Sequence, residues 1–151
     1  MGKAGHPVLR ERHEGGGVVM TDEERQSLVT LRLQNARITL AEIPVHIEHG
    51  FYNTAVSRMY YACYYAVVAI LLQRGVSVKT HSGVRNAFSK EFVLTGLVDR
   101  ELSRFYSNLY ANRQSGDYDD FIMMDEDIAN ELYPQAIHFI DTLALLIQEA
   151  R

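Results

Sequence analysis

Arg113 and the tyrosines that precede it have a spacing that could bind a phosphorylated ligand. Tyr106 and Tyr110 lie seven and three residues before Arg113, which places all three on one face of a helix. A guanidinium group binds phosphate through paired hydrogen bonds, and tyrosine rings stack on nucleobases. This face is a candidate nucleotide or RNA site. In the alternative interpretation, Arg113 pairs with Asp117 or Asp119 and the tyrosines fill the core.

Arg58, Tyr61 and Tyr65 form a second face of the same kind on an earlier helical segment. Tyrosine is enriched at protein interfaces because its ring is apolar and its hydroxyl can form hydrogen bonds. We therefore interpret this face as a packing or subunit-contact surface, with Arg58 and Tyr61 kept as candidate ligand contacts.

Glu42, His46 and His49 have the spacing that would place three metal ligands on one helical face. Pro44 lies among them and would distort that face, and no second ligand set occurs on another predicted helix. We therefore expect neither a metal site nor a cofactor.

Three segments follow one another in a recognisable order. They are Ala-Val-Ser-Arg-Met-Tyr-Tyr-Ala at residues 55–62, Lys-Thr-His-Ser-Gly-Val at residues 79–84, and Arg-Gln-Ser-Gly-Asp-Tyr at residues 113–118. This order resembles a branch of the HEPN family of small prokaryotic helical proteins, over roughly residues 22–150.

The resemblance implies a helical bundle that often forms homodimers. It also implies frequent pairing with a small nucleotidyltransferase encoded nearby, sometimes as a toxin and its antitoxin. Some members of the family are ribonucleases that use an arginine followed a few residues later by a histidine. In that chemistry, histidine moves a proton near neutral pH and arginine stabilises charge on the phosphorus centre.

The catalytic histidine is missing where the resemblance would place it. Arg113 is followed by Asp117 and Tyr118, and no histidine occurs before His138. Arg74 and His81 have the right spacing but are separated by the Gly75 turn. We interpret Arg74 as a helix cap and His81 as the start of the next helix.

Three functional hypotheses follow from these residues. The first is a dimeric, noncatalytic binding protein that docks a nucleotidyltransferase and contacts a nucleotide or RNA. Its candidate contacts are Arg113, Asp117, Tyr118, Tyr106, Tyr110, Arg58, Tyr61 and His81. The second is a metal-independent endoribonuclease toxin in which Tyr118 or His81 replaces the missing histidine. The third is a purely structural oligomerisation module whose tyrosine-rich faces make the subunit contact.

The apolar periodicity predicts the elements that position these residues. A long helix begins at the Thr21 cap and continues past Pro44, and a second lies between Gly50 and Gly75. A shorter helix covers residues 81–94, a fourth ends near Arg113, and a last helix opens near residue 125, after a polar connector at residues 114–120. We expect an all-α, up-down antiparallel bundle of four main helices with one shorter helix inserted.

Length and composition indicate one domain and a cytoplasmic location. We expect residues 1–19 to be a flexible tail or a remnant of expression, and residues 20–151 to form the bundle. A net charge of −4 argues against tight nonspecific binding of duplex nucleic acid. The apolar stretch at residues 59–72 is shorter than the roughly 20 residues of a membrane span, and no secretory signal is recognised. The single cysteine, Cys63, suits a reducing compartment.

Overall fold

A computed structural model describes the backbone of residues 10–11, 18–118 and 123–150, and the side chains of residues 20–113 and 123–150. These residues contain five α-helices: α1 (Asp22–Glu48), α2 (Tyr52–Gln73), α3 (His81–Phe88), α4 (Arg100–Tyr118) and α5 (Glu126–Glu149). A π-helical turn, Ser89–Val93, continues α3. The predicted all-α bundle is confirmed.

Contacts along α2 show how the helices alternate in direction. Arg58 on α2 contacts Thr39 and Glu42 on α1, so these two helices form an antiparallel hairpin across the Gly50 turn. Asn112 and Arg113, late in α4, lie beside residues 53–58 early in α2, so α4 runs antiparallel to α2. Just before α5, the Met124 amide donates a hydrogen bond to the Asn53 side chain at the start of α2. Near the end of α5, the Ile147 carbonyl accepts one from the Gln73 side chain at the end of α2, so α5 runs in the same direction as α2. The helices thus alternate up and down around α2.

α1 begins as its sequence predicts. The Thr21 hydroxyl accepts a hydrogen bond from the Glu24 backbone amide at 3.0 Å, and the Glu24 carboxylate accepts one from the Thr21 amide at 2.9 Å. The helix continues through Pro44, because the inward stripe that includes Ala36 and Ile43 keeps it packed against α2. The predicted long first helix is therefore confirmed.

α2 is the central helix of the core, with twelve buried residues. It is also the one helix in the described part of the chain that is long and apolar enough to cross a membrane, but 67% of its most apolar window is buried inside the bundle. Burial of this kind identifies a core helix, as the length of its apolar stretch predicts.

The fourth helix is longer than predicted. α4 continues to Tyr118, whereas the sequence suggested that it ends near Arg113 and gives way to a polar connector. Gly116 in an otherwise polar stretch favoured a loop, but one helical glycine costs only about 1 kcal/mol relative to alanine and no proline interrupts the segment. The connector at residues 119–122 lies outside the described residues.

A two-residue antiparallel ladder pairs β1 (Arg10–Glu11) with β2 (Val18–Val19). Both strands lie in the segment predicted as a tail, where the sequence has no strand periodicity. So short a ladder leaves no alternating pattern in the sequence that could have predicted it.

The start of α3 places His81 and depends on a glycine. The Thr80 hydroxyl caps the helix by accepting a hydrogen bond from the Gly83 amide at 2.9 Å. A Cβ atom at position 83 would lie 2.4 Å from Val78 Cγ1 and 2.7 Å from Thr80 Oγ1, closer than real side chains approach. Gly83 therefore allows the close turn that holds both the cap and His81.

We predict that Gly83→Ala lowers the free energy of unfolding by about 1–2 kcal/mol, although alanine is the better helix former. The added methyl group displaces Val78 and breaks the Thr80 cap. Urea unfolding followed by circular dichroism measures the change. Ser82→Ala, an exposed change in the same turn, should alter stability by less than about 0.5 kcal/mol. A Gly83→Ala protein as stable as the wild type would contradict this account.

Candidate functional site

Tyr60 lies at the centre of a cluster of aromatic rings between α2, α3 and α4. We use the name tyrosine cluster for Tyr60, Tyr61, Tyr64, Tyr106 and Tyr110 together with His81. The Tyr60 ring centroid lies 5.2–6.0 Å from those of the other five members. Tyr60 itself is fully buried, so the cluster joins the core to the surface of the bundle.

Tyr106 belongs to the core side of this cluster. Its ring stacks on Tyr60 at 5.6 Å and on Phe139 of α5 at 5.5 Å, and it has no exposed surface. Neither ring face can meet a nucleobase, so the expectation that Tyr106 stacks on a ligand is wrong. Helical spacing placed Tyr106 on the same face as Arg113, but that face turns inward at Tyr106.

Arg113 lies over two tyrosines of α2. Its Nε donates a hydrogen bond to the Tyr61 hydroxyl at 3.1 Å, and its guanidinium carbon lies 5.4 Å from the Tyr61 ring and 5.6 Å from the Tyr60 ring. Contacts of a cation with ring faces and a hydroxyl hold the guanidinium in one orientation. The side chains of Asp117 and Asp119, the alternative ion-pair partners of Arg113, lie outside the described residues. The side chain of the candidate contact Tyr118 does too.

Arg58 also lies near Tyr61. Its guanidinium carbon lies 6.0 Å from the Tyr61 ring, and Nη2 lies 3.7 Å from the Glu42 carboxylate. The faces that the sequence placed on two separate helices, one with Arg113 and one with Arg58, therefore meet at Tyr61. Tyr65 continues the second face, partly buried against Tyr64.

Arg58 and Arg113 line a small open cleft of about 250 Å³, which we call the Arg58–Arg113 cleft. Its other lining residues are Asn53, Thr54, Val56, Ser57, Asn112 and Met124. The Asn53 side-chain oxygen accepts a hydrogen bond from the Met124 amide at 2.8 Å, which fixes the approach to α5 at the edge of the cleft. Guanidinium, amide and hydroxyl groups around so small a volume suit a single anionic group, since larger ligands occupy about 300–1,000 Å³.

His81 reaches the tyrosine cluster from the first residue of α3. Its Nδ1 lies 2.7 Å from the Tyr60 hydroxyl, and its ring lies 4.5 Å from Tyr64 and 5.9 Å from Tyr61. Burial and then the Arg113 guanidinium lower the pKa of His81 from its ordinary value of 6.5, so the imidazole is neutral at pH 7. The fold thus brings a histidine close to Arg113, although the sequence has none after Arg113 at the position that the resemblance implies.

Sequence reasoning missed Tyr60, Tyr64 and Arg85 as members of this site. Arg85 lies 4.5 Å over the Tyr110 ring and so adds a third arginine at the edge of the cluster. Its position four residues after His81, on the same face of α3, was the available signal. Tyr60 gave no such signal because a tyrosine within an apolar run is the ordinary composition of a core helix.

Arg74 and His81 lie in different environments, as the Gly75 turn between them suggested. Arg74 is the C-cap residue of α2, lies 3.6 Å from the Glu91 carboxylate, and stacks over Phe92 at 4.5 Å. These contacts support the interpretation of Arg74 as a structural residue.

Two of the three residues considered as metal ligands, Glu42 and His49, have other partners. Glu42 pairs with Arg58, and His49 Nδ1 lies 2.9 Å from the Val45 carbonyl while its ring stacks on Phe51. Within residues 20–113 and 123–150, no three histidine, cysteine or acidic side chains form a group that could hold a metal ion.

Residues 29–146 match the HEPN domain family. The chain belongs to the HEPN family. It is 34% identical over 128 residues to a UPF0332 protein of Thermotoga maritima, an alignment that covers 85% of this chain and 97% of that protein. Two relatives from Methanocaldococcus jannaschii bear toxin names. "Putative toxin MJ0142" is 40% identical over 60% of this chain and 62% of its own length, and "Putative toxin MJ0605" is 28% identical over 84% and 91%.

We predict that protonation of His81 destabilises the fold. Because its folded-state pKa lies below 6.5, the unfolded chain binds more protons there, and stability is lost as the pH falls from 6.5 through the lower value. His81→Gln removes the titrating group, so the wild type should lose more stability than this variant between about pH 8 and pH 5.5. Urea unfolding at both pH values measures the difference, and equal losses would contradict the prediction.

Proposed function

We propose that this HEPN protein is the toxin-like member of a pair and binds a phosphate of RNA or of a nucleotide in the Arg58–Arg113 cleft. One observation carries the proposal. Two arginines from different helices line a single small polar cleft in a chain whose net charge is −4. Cations placed together against the overall charge of a protein indicate a local anion site.

The surroundings of Arg113 support a role in recognition. The hydrogen bond to Tyr61 and the contacts with two rings restrain its side chain before any ligand binds, so less conformational entropy is lost on binding. Tyr61 and Tyr110 are partly exposed beside it and could stack on an unpaired base. Recognition of a phosphate together with an unpaired base favours a nucleotide or single-stranded RNA over a duplex.

A second candidate function is a metal-independent endoribonuclease. The observation that favours it is the meeting of His81 and Arg113 at Tyr61, with ring distances of 5.9 Å and 5.4 Å. A neutral imidazole could move a proton of the ribose while the guanidinium stabilises charge on the phosphate. This function needs the His81 nitrogen that faces the substrate to accept a proton.

We also propose that the protein acts in the cytoplasm as a homodimer with a nucleotidyltransferase partner, as the family resemblance implies. A stripe of exposed apolar residues on α1 supports a subunit contact: Leu31, Ile38 and Val45 recur every seven residues and are 46%, 61% and 53% exposed. Heptad spacing is typical of a helix that packs against another helix. The oligomerisation module based on tyrosine faces has less support, because Tyr60 and Tyr106 are fully buried.

The binding proposal predicts that Arg58→Gln and Arg113→Gln each weaken RNA binding about tenfold. Each should also reduce the dependence of log affinity on log salt concentration by about one, because one phosphate contact is lost. Fluorescence anisotropy with a labelled single-stranded RNA, between about 50 and 200 mM salt, measures both effects, and titration with ATP tests a mononucleotide.

Arg100→Gln is the matched control, since it removes the same charge from an exposed position at the other end of α4. It should bind like the wild type. Unchanged affinity in both cleft variants would remove the proposed site. Gel analysis of the same RNA, incubated with a metal chelator, separates the candidates: cleavage lost in Arg113→Gln and His81→Gln would favour the ribonuclease, and intact RNA would favour binding alone.

The dimer proposal predicts that Ile38→Glu produces a monomer, because it places a charge in the middle of the α1 stripe. Light scattering coupled to size-exclusion chromatography measures the mass. Leu94→Glu, at a residue that is 72% exposed on the turn before Gly96, is the control and should leave the dimer intact. A monomeric wild type would refute the dimer. Co-expression with the product of an adjacent nucleotidyltransferase gene, if one exists, tests the partner by co-purification.

A further inference from the structure

We infer that the Tyr60 hydroxyl donates a hydrogen bond to His81 Nδ1 and fixes the imidazole as the tautomer that carries its proton on Nε2. His81 then acts as a hydrogen-bond donor beside Arg113, and Tyr60 is its positioning residue. The use of this donor rests on the proposed phosphate site, but the tautomer is a property of the protein alone.

The contact itself permits two arrangements. The 2.7 Å separation of the Tyr60 oxygen and His81 Nδ1 requires one proton between them, supplied by either the phenol or the imidazole. In the first arrangement, Tyr60 donates and the imidazole proton lies on Nε2. In the second, Nδ1–H donates to the Tyr60 oxygen and Nε2 carries a lone pair.

The buried Tyr106 hydroxyl distinguishes these arrangements. It has no hydrogen-bond partner among the described residues. Its ring stacks on that of Tyr60, with centroids 5.6 Å apart and planes 13° apart, and after burial the Tyr60 hydroxyl has the strongest influence on its pKa. A small movement of the Tyr106 hydroxyl would therefore let it form a hydrogen bond with Tyr60.

A count of donors and acceptors favours the first arrangement. If Tyr60 donates to His81, its oxygen can still accept from Tyr106, and both buried hydroxyl protons have an acceptor. If Nδ1–H donates to Tyr60, the Tyr60 proton must turn toward the Tyr106 oxygen, and the Tyr106 proton is left without an acceptor. A buried donor without an acceptor costs free energy, so the order Tyr106 to Tyr60 to His81 is the more stable one.

The charge states of the three groups agree with this order. Burial raises the pKa of Tyr60 to about 12 and that of Tyr106 well above its ordinary value, so both phenols keep their protons at neutral pH. His81 is neutral there because burial and Arg113 lower its pKa. The contact is thus a neutral phenol donating to a neutral imidazole.

This tautomer suits binding better than RNA cleavage. His81 does not line the Arg58–Arg113 cleft, but it shares the Tyr61 ring with Arg113, so an Nε2–H group can donate to a ligand that extends from the cleft across that ring. The same nitrogen cannot accept a proton from a ribose hydroxyl, so His81 lacks the lone pair that a general base needs. The inference therefore favours the binding function over the ribonuclease.

NMR titration of the unliganded Tyr60→Phe variant measures the pKa of His81. The direction in which this pKa changes relative to the wild type tests the inference. If Tyr60 donates to the neutral ring, protonation at Nδ1 turns the Tyr60 proton away and breaks the order Tyr106 to Tyr60 to His81. The mutation then removes an arrangement that favours the neutral ring, and the pKa of His81 rises. If Nδ1–H donates to Tyr60, the mutation removes a bond that the charged ring keeps, and the pKa falls. A rise supports the inference and a fall overturns it.

Tyr64→Phe is the matched control, because its ring also contacts His81 but its hydroxyl makes no hydrogen bond to it. It should change the pKa of His81 less than Tyr60→Phe does. If Tyr60→Phe does not fold, the ¹⁵N-labelled wild type gives the answer directly. A proton with a large one-bond coupling to Nε2 supports the inference, and one with such a coupling to Nδ1 overturns it.

RNA titration of two further variants separates this inference from the proposed function. His81→Gln keeps an N–H donor and should bind with near wild-type affinity, whereas His81→Ala should bind about tenfold more weakly. If both variants bind like the wild type while the NMR result holds, the tautomer stands and the role of His81 in phosphate binding is refuted.

Discussion

The hydrogen bond between Tyr60 and His81 is the interaction on which the arrangement of the site depends. Tyr60 is fully buried at the middle of α2, and His81 is the first residue of α3, so their bond joins the core to the start of a surface helix. The stacked rings of Tyr106 and Phe139 extend the same contact to α4 and α5. A polar group buried this deeply stabilises the fold only when it has a partner, so the core specifies where α3 must begin.

The cleft also depends on how aromatic rings hold cations. Arg113 has Tyr61 as a hydrogen-bond acceptor and lies near the rings of Tyr60 and Tyr61, and Arg58 also lies near the Tyr61 ring. Two guanidinium groups near one another repel, but Glu42 beside Arg58 and the electron-rich ring faces offset that repulsion. The bundle can therefore keep a local positive site on a chain of net negative charge.

Membership of the HEPN family does not by itself decide between binding and cleavage, because function depends on the groups at the site. This chain has the arginine and, through the fold, a histidine close to it. In our proposal, the tautomer of that histidine separates the two functions. A donor at Nε2 would favour binding of a phosphate, whereas a lone pair there would take a proton from a substrate.

The sequence alone determined the all-α bundle, the capped start of α1, the passage of that helix through Pro44, and the family, because apolar periodicity and capping are local properties. It predicted a connector that begins directly after Arg113, whereas α4 continues to Tyr118, because a polar composition with one glycine fits a loop and a helix equally well. Only the tertiary structure decided that Arg58, Arg113 and His81 meet at the tyrosine cluster, and that Tyr106 lies in the core. The rotation of each helix about its axis and the meeting of residues distant in sequence are set by packing between helices, which no local pattern records.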